Sequence, residues 1–356
     1  MKLTDVTATL ITSVTIVVVS VFGTLLASAN AEEKQASANV QTSTTVELAR
    51  HDFPYKSHYV EVKGAKMHYV DTGGKGSTIV MIHGQPTWSY LWRNIIPHLE
   101  DKHRVIALDL IGFGKSDKPD ISYKAPEHAE YLQGFMEQLN LKDITLVIHD
   151  WGSILGFNYA ATNPDNVKAI AFMEAAVAVP PIQPPYGMQK PKLDAQGPST
   201  VEQFGQILSQ IKTPGVGEKM ILEDNFFLEQ LTLAGFVGWL TEDEMNAYRE
   251  PFSEGKNRMP MLQFPRDVPI DGKTPKYTVD MMAKYNTYLR TRKDLPKLLL
   301  HLDKGFVTQR WAVEWMRQNL SDITIHNMGE GSHFMQEHNP DGIGTAIAMW
   351  MDANKL

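Results

Sequence analysis

The sequence contains no cysteine. That excludes disulfides, thiolate metal sites, cysteine nucleophiles and lipid attachment through an N-terminal cysteine. No lysine/arginine block occurs, and the formal net charge is -7 over 356 residues. Such a chain offers no electrostatic footprint for nucleic acid. No nucleotide motif is complete either. The Gly112-Phe113-Gly114 fragment lacks the remainder of any phosphate-binding pattern and reads as a tight loop. What remains is ordinary for a globular protein, with 21% charged and 43% hydrophobic residues. The length suits one large domain with an insertion, or two domains.

The amino-terminal end reads as a targeting segment. Lys2 provides a thin positive region, partly offset by Asp5, and an apolar stretch follows that is richest from Thr15 to Leu26. Ala29-Asn30-Ala31 then has the small-x-small form of a cleavage site. Residues 1–31 are therefore expected to be a signal peptide, giving a periplasmic or secreted product with no stable membrane insertion after cleavage. The alternative is an uncleaved anchor, because the apolar stretch is long for a signal peptide. Residues 32–54 are expected to form a flexible leader, polar over most of their length.

The chain is organised around residues 143–156. Ile144 to Ile148 is a short apolar run rich in β-branched residues, expected as a strand buried on both faces of a parallel sheet. It ends at His149-Asp150-Trp151-Gly152, and a helical pattern with small residues at Ser153, Gly156, Ala160 and Ala161 follows. A carboxylate at a sharp strand-to-helix turn suits a nucleophile elbow. There the side chain stands above the sheet, the next N–H points into an oxyanion hole, and a small residue lets helix and strand approach. Asp150 occupies the nucleophile slot, Trp151 supplies the N–H, and Gly152 is the small residue. The other role open to Asp150 is a plain helix N-cap.

The flanking segments fit that centre. Tyr59–Lys63 and Lys66–Val70 alternate around Gly64 and predict a hairpin. Thr78–Ile82 predicts a buried strand running into His83-Gly84-Gln85-Pro86, where the Gln85 backbone N–H would be the second oxyanion donor. Ser89 to Leu99 reads as a helix start, and Arg104–Leu108 as another buried strand. His128–Leu139 reads as an amphipathic helix. A strand over Asn166–Met173 is ended by Glu174. The proline-rich stretch Val179–Pro185 then breaks the pattern, and helical periodicity without a buried strand runs to Gly272. After a last strand over Asp322–Met328, a glycine-rich loop carries His333. Of twelve histidines it alone holds the catalytic-base slot, third in the order nucleophile, acid, base. His149 is expected to pack behind the elbow.

His83-Gly84-x-Pro86-Thr87, Ser89-Tyr90-Leu91-Trp92-Arg93-Asn94, Asp109-Leu110-Ile111-Gly112-x-Gly114-Lys115-Ser116-Asp117-Lys118-Pro119 and Val147-Ile148-His149-Asp150-Trp151-Gly152-Ser153 together resemble the haloalkane dehalogenases. The resemblance is to the branch that also holds the coelenterazine luciferase of sea pansies. It runs from about Tyr55 to the C-terminus and includes Gly217–Phe227, Ala247–Phe252 and Gln336-Glu337-x-Asn339-Pro340.

This resemblance implies an α/β fold: an α/β-hydrolase core with a mostly parallel eight-stranded sheet, helices on both faces and an inserted helical cap. The core would span residues 55–176 and 274–356, with the cap at 177–273. It makes Glu174 the acid that orients His333, with Asp303, after Lys297–Leu302, as the rival position. It implies a small halogenated hydrocarbon as substrate, with water and a halide ion as the other partners. The halide would be held by the Trp151 indole N–H and by Gln85, where relatives usually carry asparagine. Phe226, Phe227, Leu231, Phe236, Leu262 and Phe264 are candidates to line the pocket, with ordinary core packing as the alternative for each. No metal or organic cofactor is required. Two rival activities share the scaffold. An epoxide hydrolase would use the same aspartate with two tyrosines, for which Tyr186, Tyr248, Tyr285 and Tyr288 are candidates. A coelenterazine-type monooxygenase is the other. A non-enzymatic binding protein would leave the triad without a purpose.

Overall fold

Eight strands hydrogen-bond side by side in a computed structural model that describes residues 52–177, 201–231, 237–268 and 275–356. The expected signal peptide, most of the leader, the proline-rich stretch, Tyr186 and Phe236 lie outside the described residues, as does the side chain of Leu231. Strand β1 (Ser57–Val62) pairs antiparallel with β2 (Ala65–Asp71). Lys63 and Gly64 turn the chain between them, both at positive φ, as two-residue hairpin turns require. The remaining strands are β3 (Thr78–Ile82), β4 (Arg104–Leu108), β5 (Ile144–Asp150), β6 (Val167–Ala175), β7 (Lys297–His301) and β8 (Ile323–Asn327). Their order is β1-β2-β4-β3-β5-β6-β7-β8, parallel from β4 onward.

The burial of β3 to β6 explains their sequences. Ile79 to Ile82, Val105 to Leu108 and Ile144 to Ile148 are buried without alternation, because helices cover both faces of the parallel part of the sheet. Helix α2 (Trp151–Thr162) follows β5 and packs on it, and α1 (Ala125–Gln138) and α6 (Lys276–Thr291) pack against α2. Between them in sequence come α3 (Val201–Ile211), α4 (Glu242–Arg249) and α5 (Met259–Asp267). Among the described residues between β6 and β7 there is no strand. Two further helices, α7 (Arg310–Asn319) and α8 (Pro340–Asn354), complete the carboxyl-terminal part. Among the described residues no helix is long and apolar enough to cross a membrane.

One expected element differs. Residues 89–99 form two short 3-10 turns, Ser89–Trp92 and Ile96–His98, instead of the start of one helix. Pro97 lacks the N–H that a continuous helix would need and crowds the preceding turn. The Ser89 N–H is taken by the buried Asp109 carboxylate at 2.7 Å. Asp109 also accepts from the Lys115 N–H at 2.8 Å and faces His68 Nδ1 at 2.8 Å, so it ties the segments after β3 and β4 to strand β2.

A buried ion-pair network joins α4 to this frame. Arg93, 2% exposed, donates from both terminal nitrogens to Glu337, at 2.6 and 2.8 Å, and also to Glu244 of α4 at 3.0 Å. The Tyr248 hydroxyl donates to the same Glu337. Such a forked guanidinium–carboxylate geometry is among the stronger polar contacts. Removing one partner of a buried pair costs about 3–5 kcal/mol, because the other charge is left without compensation. Glu337 follows His333 by four residues, so the network also fixes the end of the loop that carries the histidine.

Candidate active site

Strand order places the site. β5 lies between β3 and β6, next to the point where chain order reverses (β4-β3-β5), and pockets of parallel sheets form at the carboxyl ends of strands at such a point. The loops after β3, β5 and β6 therefore meet. Asp150 ends β5 with φ 51 and ψ -126, a conformation a non-glycine residue seldom adopts. Holding it costs on the order of 1–3 kcal/mol, and such strain persists where the surroundings enforce it. They do so here. A Cβ at Gly152 would overlap the Ile82 and His83 carbonyl oxygens, and a Cβ at Gly84 would overlap the Asp150 carboxylate. The Ser153 hydroxyl donates to the Asp150 carbonyl at 2.6 Å and accepts from the Ala176 N–H at 3.0 Å, locking the elbow to the end of β6.

Glu174 is aimed by an irregularity in β6. His149 pairs with Met173, but Asp150 pairs with Ala175, so Glu174 is an extra residue in its strand, at φ 43. A bulge of this kind turns a side chain out of the regular alternation. Glu174 is completely buried. Its Oε2 accepts from the Phe306 N–H at 3.0 Å and the Val307 N–H at 2.8 Å, and lies 2.9 Å from His333 Nδ1. His333 Nε2 in turn lies 3.4 Å from Asp150 Oδ2. Asp150 Oδ1 accepts from the Gln85 backbone N–H at 2.7 Å, so the loop after β3 supplies the donor expected of it.

The electrostatics follow from this chain of groups. Burial opposes a charged His333, but the Asp150 and Glu174 carboxylates outweigh it and lift its pKa to about 9. Burial also works against an ionised Asp150. The hydrogen bond and charge of His333, with help from the Trp151 N–H, hold that carboxyl below its usual value. His149, fully buried, is pushed down to about 3 by desolvation and by neighbouring His333, and stays neutral.

Beside this triad two donors are unused. The Trp151 indole is 5% exposed and stacks on Phe264, with ring centres 4.3 Å apart and planes 8° from parallel. Among the described residues no acceptor takes its N–H. The Gln85 side chain is buried, its Oε1 has no donor, and its nitrogen has no acceptor among the described residues. A buried polar atom such as Gln85 Oε1 is seldom left so without a reason.

The other expected residues divide. Phe264 is placed at the site by α5, which Asp267 anchors by accepting from the Ala125 N–H at 2.9 Å and the Tyr277 hydroxyl at 2.7 Å. Phe227 and Leu262 are buried and Phe226 is half-buried in the apolar core. Asp303 is exposed and accepts from Asn327 at 2.7 Å, so the turn after β7 does not compete with Glu174. That loop contributes differently, through the Phe306 and Val307 N–H groups, and side-chain chemistry gave no signal for them. His149 lies against the triad: its Nε2–H donates to the His333 carbonyl at 2.9 Å. Two of the candidate tyrosines are occupied. Tyr248 donates to Glu337, and Tyr285 donates to the Ala176 carbonyl. Among the described residues no group of three or more histidine, aspartate or glutamate side chains could hold a metal ion.

A carboxylate nucleophile, a histidine in contact with it and a second carboxylate behind the histidine can form a covalent ester and then hydrolyse it. Comparison with known proteins identifies the family. The family model described as alpha/beta hydrolase fold matches residues 77–340. A haloalkane dehalogenase of Mesorhizobium japonicum is 38% identical over 296 residues, covering 83% of this chain and 91% of that protein. One from Sphingobium indicum is 40% identical over 301 residues, covering 82% and 94%. Among solved structures, the haloalkane dehalogenase DatA from Agrobacterium tumefaciens C58 is similar with a TM-score of 0.75 and 32% identity, covering 86% of this chain and 99% of that one. With its elbow, triad and eight-stranded sheet, the chain belongs to the haloalkane dehalogenases of the α/β-hydrolase fold.

Proposed function

We propose that this enzyme hydrolyses haloalkanes to an alcohol and a halide ion, with Asp150 as nucleophile, His333 as base and Glu174 as the acid that orients it. The observation that carries the reading is the continuous chain Asp150–His333–Glu174 beside an unpaired indole N–H on the residue after the nucleophile. An Asp150 oxygen attacks the carbon bearing the halogen, the carbon–halogen bond breaks, and the halide leaves with the bonding pair. Trp151 donates its indole N–H to that anion, and Gln85 offers its amide from the other loop. The product is a neutral ester on Asp150. One of the two carboxylates that raised the His333 pKa is then gone, so His333 gives up its proton to solvent and becomes a base. It next takes a proton from water as the hydroxide attacks the Asp150 carbonyl carbon. The oxyanion is held by the Gln85 and Trp151 backbone N–H groups. Collapse expels the alkoxide and leaves Asp150 as a carboxylic acid; the alkoxide takes that proton, and the carboxylate returns.

Epoxide hydrolysis on the same aspartate would need tyrosine hydroxyls free to protonate oxygen. Tyr248 and Tyr285 spend theirs on Glu337 and on a backbone carbonyl, and of the candidates among the described residues only Tyr288 keeps an unpartnered hydroxyl, one where two are needed, which favours the dehalogenase reading. Halide and proton release from a panel of bromo- and chloroalkanes, run beside epoxides, tests it. Equal release of both ions from haloalkanes is expected, and turnover of epoxides alone would overturn the reading. The proposal includes export from the cytoplasm, resting on Ala29-Asn30-Ala31 after an apolar stretch. N-terminal sequencing of the exported product should begin at Glu32; an intact Met1 on membrane-bound material would contradict it.

A further inference from the structure

His149 is a titratable residue inside the catalytic centre for which the reaction steps have no use. It precedes the nucleophile directly, is fully buried, and stands near the end of β5, paired with Met173 of β6. Its ring centre is 4.7 Å from that of His333. The His149 Nε2–H donates to the His333 backbone carbonyl at 2.9 Å across 184 residues of sequence. That bond fixes the tautomer, because a carbonyl can only accept, and it leaves Nδ1 buried with no partner. An orphaned buried nitrogen is destabilising by itself, so packing alone would be served better by an apolar side chain of the same size.

We infer that His149 is a positioning residue for the second half-reaction: through the His333 carbonyl it holds the base loop so that Nε2 faces Asp150. The inference rests on the proposed ester mechanism and deepens it. The loop needs such a hold. His333 follows Gly329 and Gly331, and its imidazole must meet Glu174 on one nitrogen and Asp150 on the other at once. Glu174 is bound by two backbone N–H groups, and Asp150 by the Gln85 N–H, so both carboxylates are fixed from outside the loop. The Glu337 ion pairs secure the loop after the histidine. The His149 bond secures it at the histidine itself. The hold is directional, since its donor stands near the end of β5 and bonds the backbone of the base itself. Attack of Asp150 on the substrate needs no proton transfer through His333, whereas ester hydrolysis does. Loss of the donor should therefore slow hydrolysis and spare alkylation.

The test is rapid-mixing kinetics of bromide release from 1-bromobutane for the wild type, His149→Leu and His149→Gln, with intact mass read in parallel. His149→Leu should keep a bromide burst close to one per protein and accumulate a butyl adduct, while steady turnover falls about tenfold to a hundredfold, the scale set by misplacing a catalytic group by a fraction of an ångström to an ångström. His149→Gln keeps a donor at similar reach and should restore most of the turnover. Unchanged turnover in His149→Leu, or an equal slowing of burst and turnover that glutamine does not relieve, would overturn the inference. Should His149→Leu fail to fold, His149→Asn, whose amide stops short of the carbonyl, is read by the same criteria. Failure of the ester mechanism itself would look different: the wild type would release no bromide.

Discussion

Glu174 Oε2 lies 2.9 Å from His333 Nδ1, although 159 residues separate the two in sequence. The contact depends on the extra residue in β6 and on two N–H groups of the loop after β7, so three segments cooperate to place one carboxylate. Glu174→Gln keeps the size and removes the charge. One of the two groups that lift the His333 pKa is then lost, and the imidazolium formed during ester hydrolysis loses its counter-charge. A charge-assisted hydrogen bond is worth ~1.5–3 kcal/mol, so turnover should fall roughly tenfold to a hundredfold. Steady-state halide release measures it, and turnover within a factor of two of the wild type would contradict the assignment.

Stability should carry a signature of the same triad in its pH dependence. The His333 pKa rises from an ordinary 6.5 to about 9 on folding. Its ion pairs therefore stabilise the fold fully below about 6.5, and that contribution is lost as pH rises through about 9. Asp150 has the opposite sign. Its depressed pKa contributes above the ordinary value of 3.8 and is lost as pH falls through the depressed one. Urea midpoints should decline between pH 6.5 and 9 in the wild type. In His333→Gln the decline should be shallower. Parallel declines in the two proteins would exclude His333 as its source.

The proposed halide cradle makes a sharper claim about two side chains. Trp151→Phe keeps an aromatic ring beside Phe264 and removes the indole N–H together with part of the ring. Debromination should then drop by the scale of one charged hydrogen bond, ~1.5–3 kcal/mol. Gln85→Asn replaces a longer, more mobile amide by a shorter one and should raise turnover of bromoalkanes. Halide titration followed by quenching of tryptophan emission gives the binding side of the same comparison. If Trp151→Phe binds and turns over as the wild type does, the halide site lies elsewhere.

Much of this was legible in the sequence because the informative residues are local. The strand 144–148 and the His-Asp-Trp-Gly-Ser turn announce an elbow through period and residue type alone, and the glycine-rich loop marks His333. The order of the strands and the pairing of His333 with Glu174 are long-range. In sequence Glu174 and Asp303 are both acids just after strands, and the choice between them came from the family resemblance. The β6 bulge and the Phe306 and Val307 N–H groups are the physical reason Glu174 prevails, and backbone geometry leaves no mark on residue identity. The expected helix at 89–99 gave way to 3-10 turns because Pro97 has no N–H to continue one helix and crowds the turn before it. The His149 contact was hidden for a different cause: a bond to a backbone carbonyl selects no particular residue at the other end.

The central claim is a covalent ester on Asp150 whose hydrolysis depends on His333, and one measurement addresses it directly. His333→Ala is mixed with excess 1-bromobutane, and intact mass, peptide mapping and bromide release are followed together. Expected is a single butyl adduct located on Asp150, one equivalent of bromide per protein, and no further turnover. A folded His333→Ala protein that releases no bromide and gains no mass, while the wild type turns the substrate over, would contradict it.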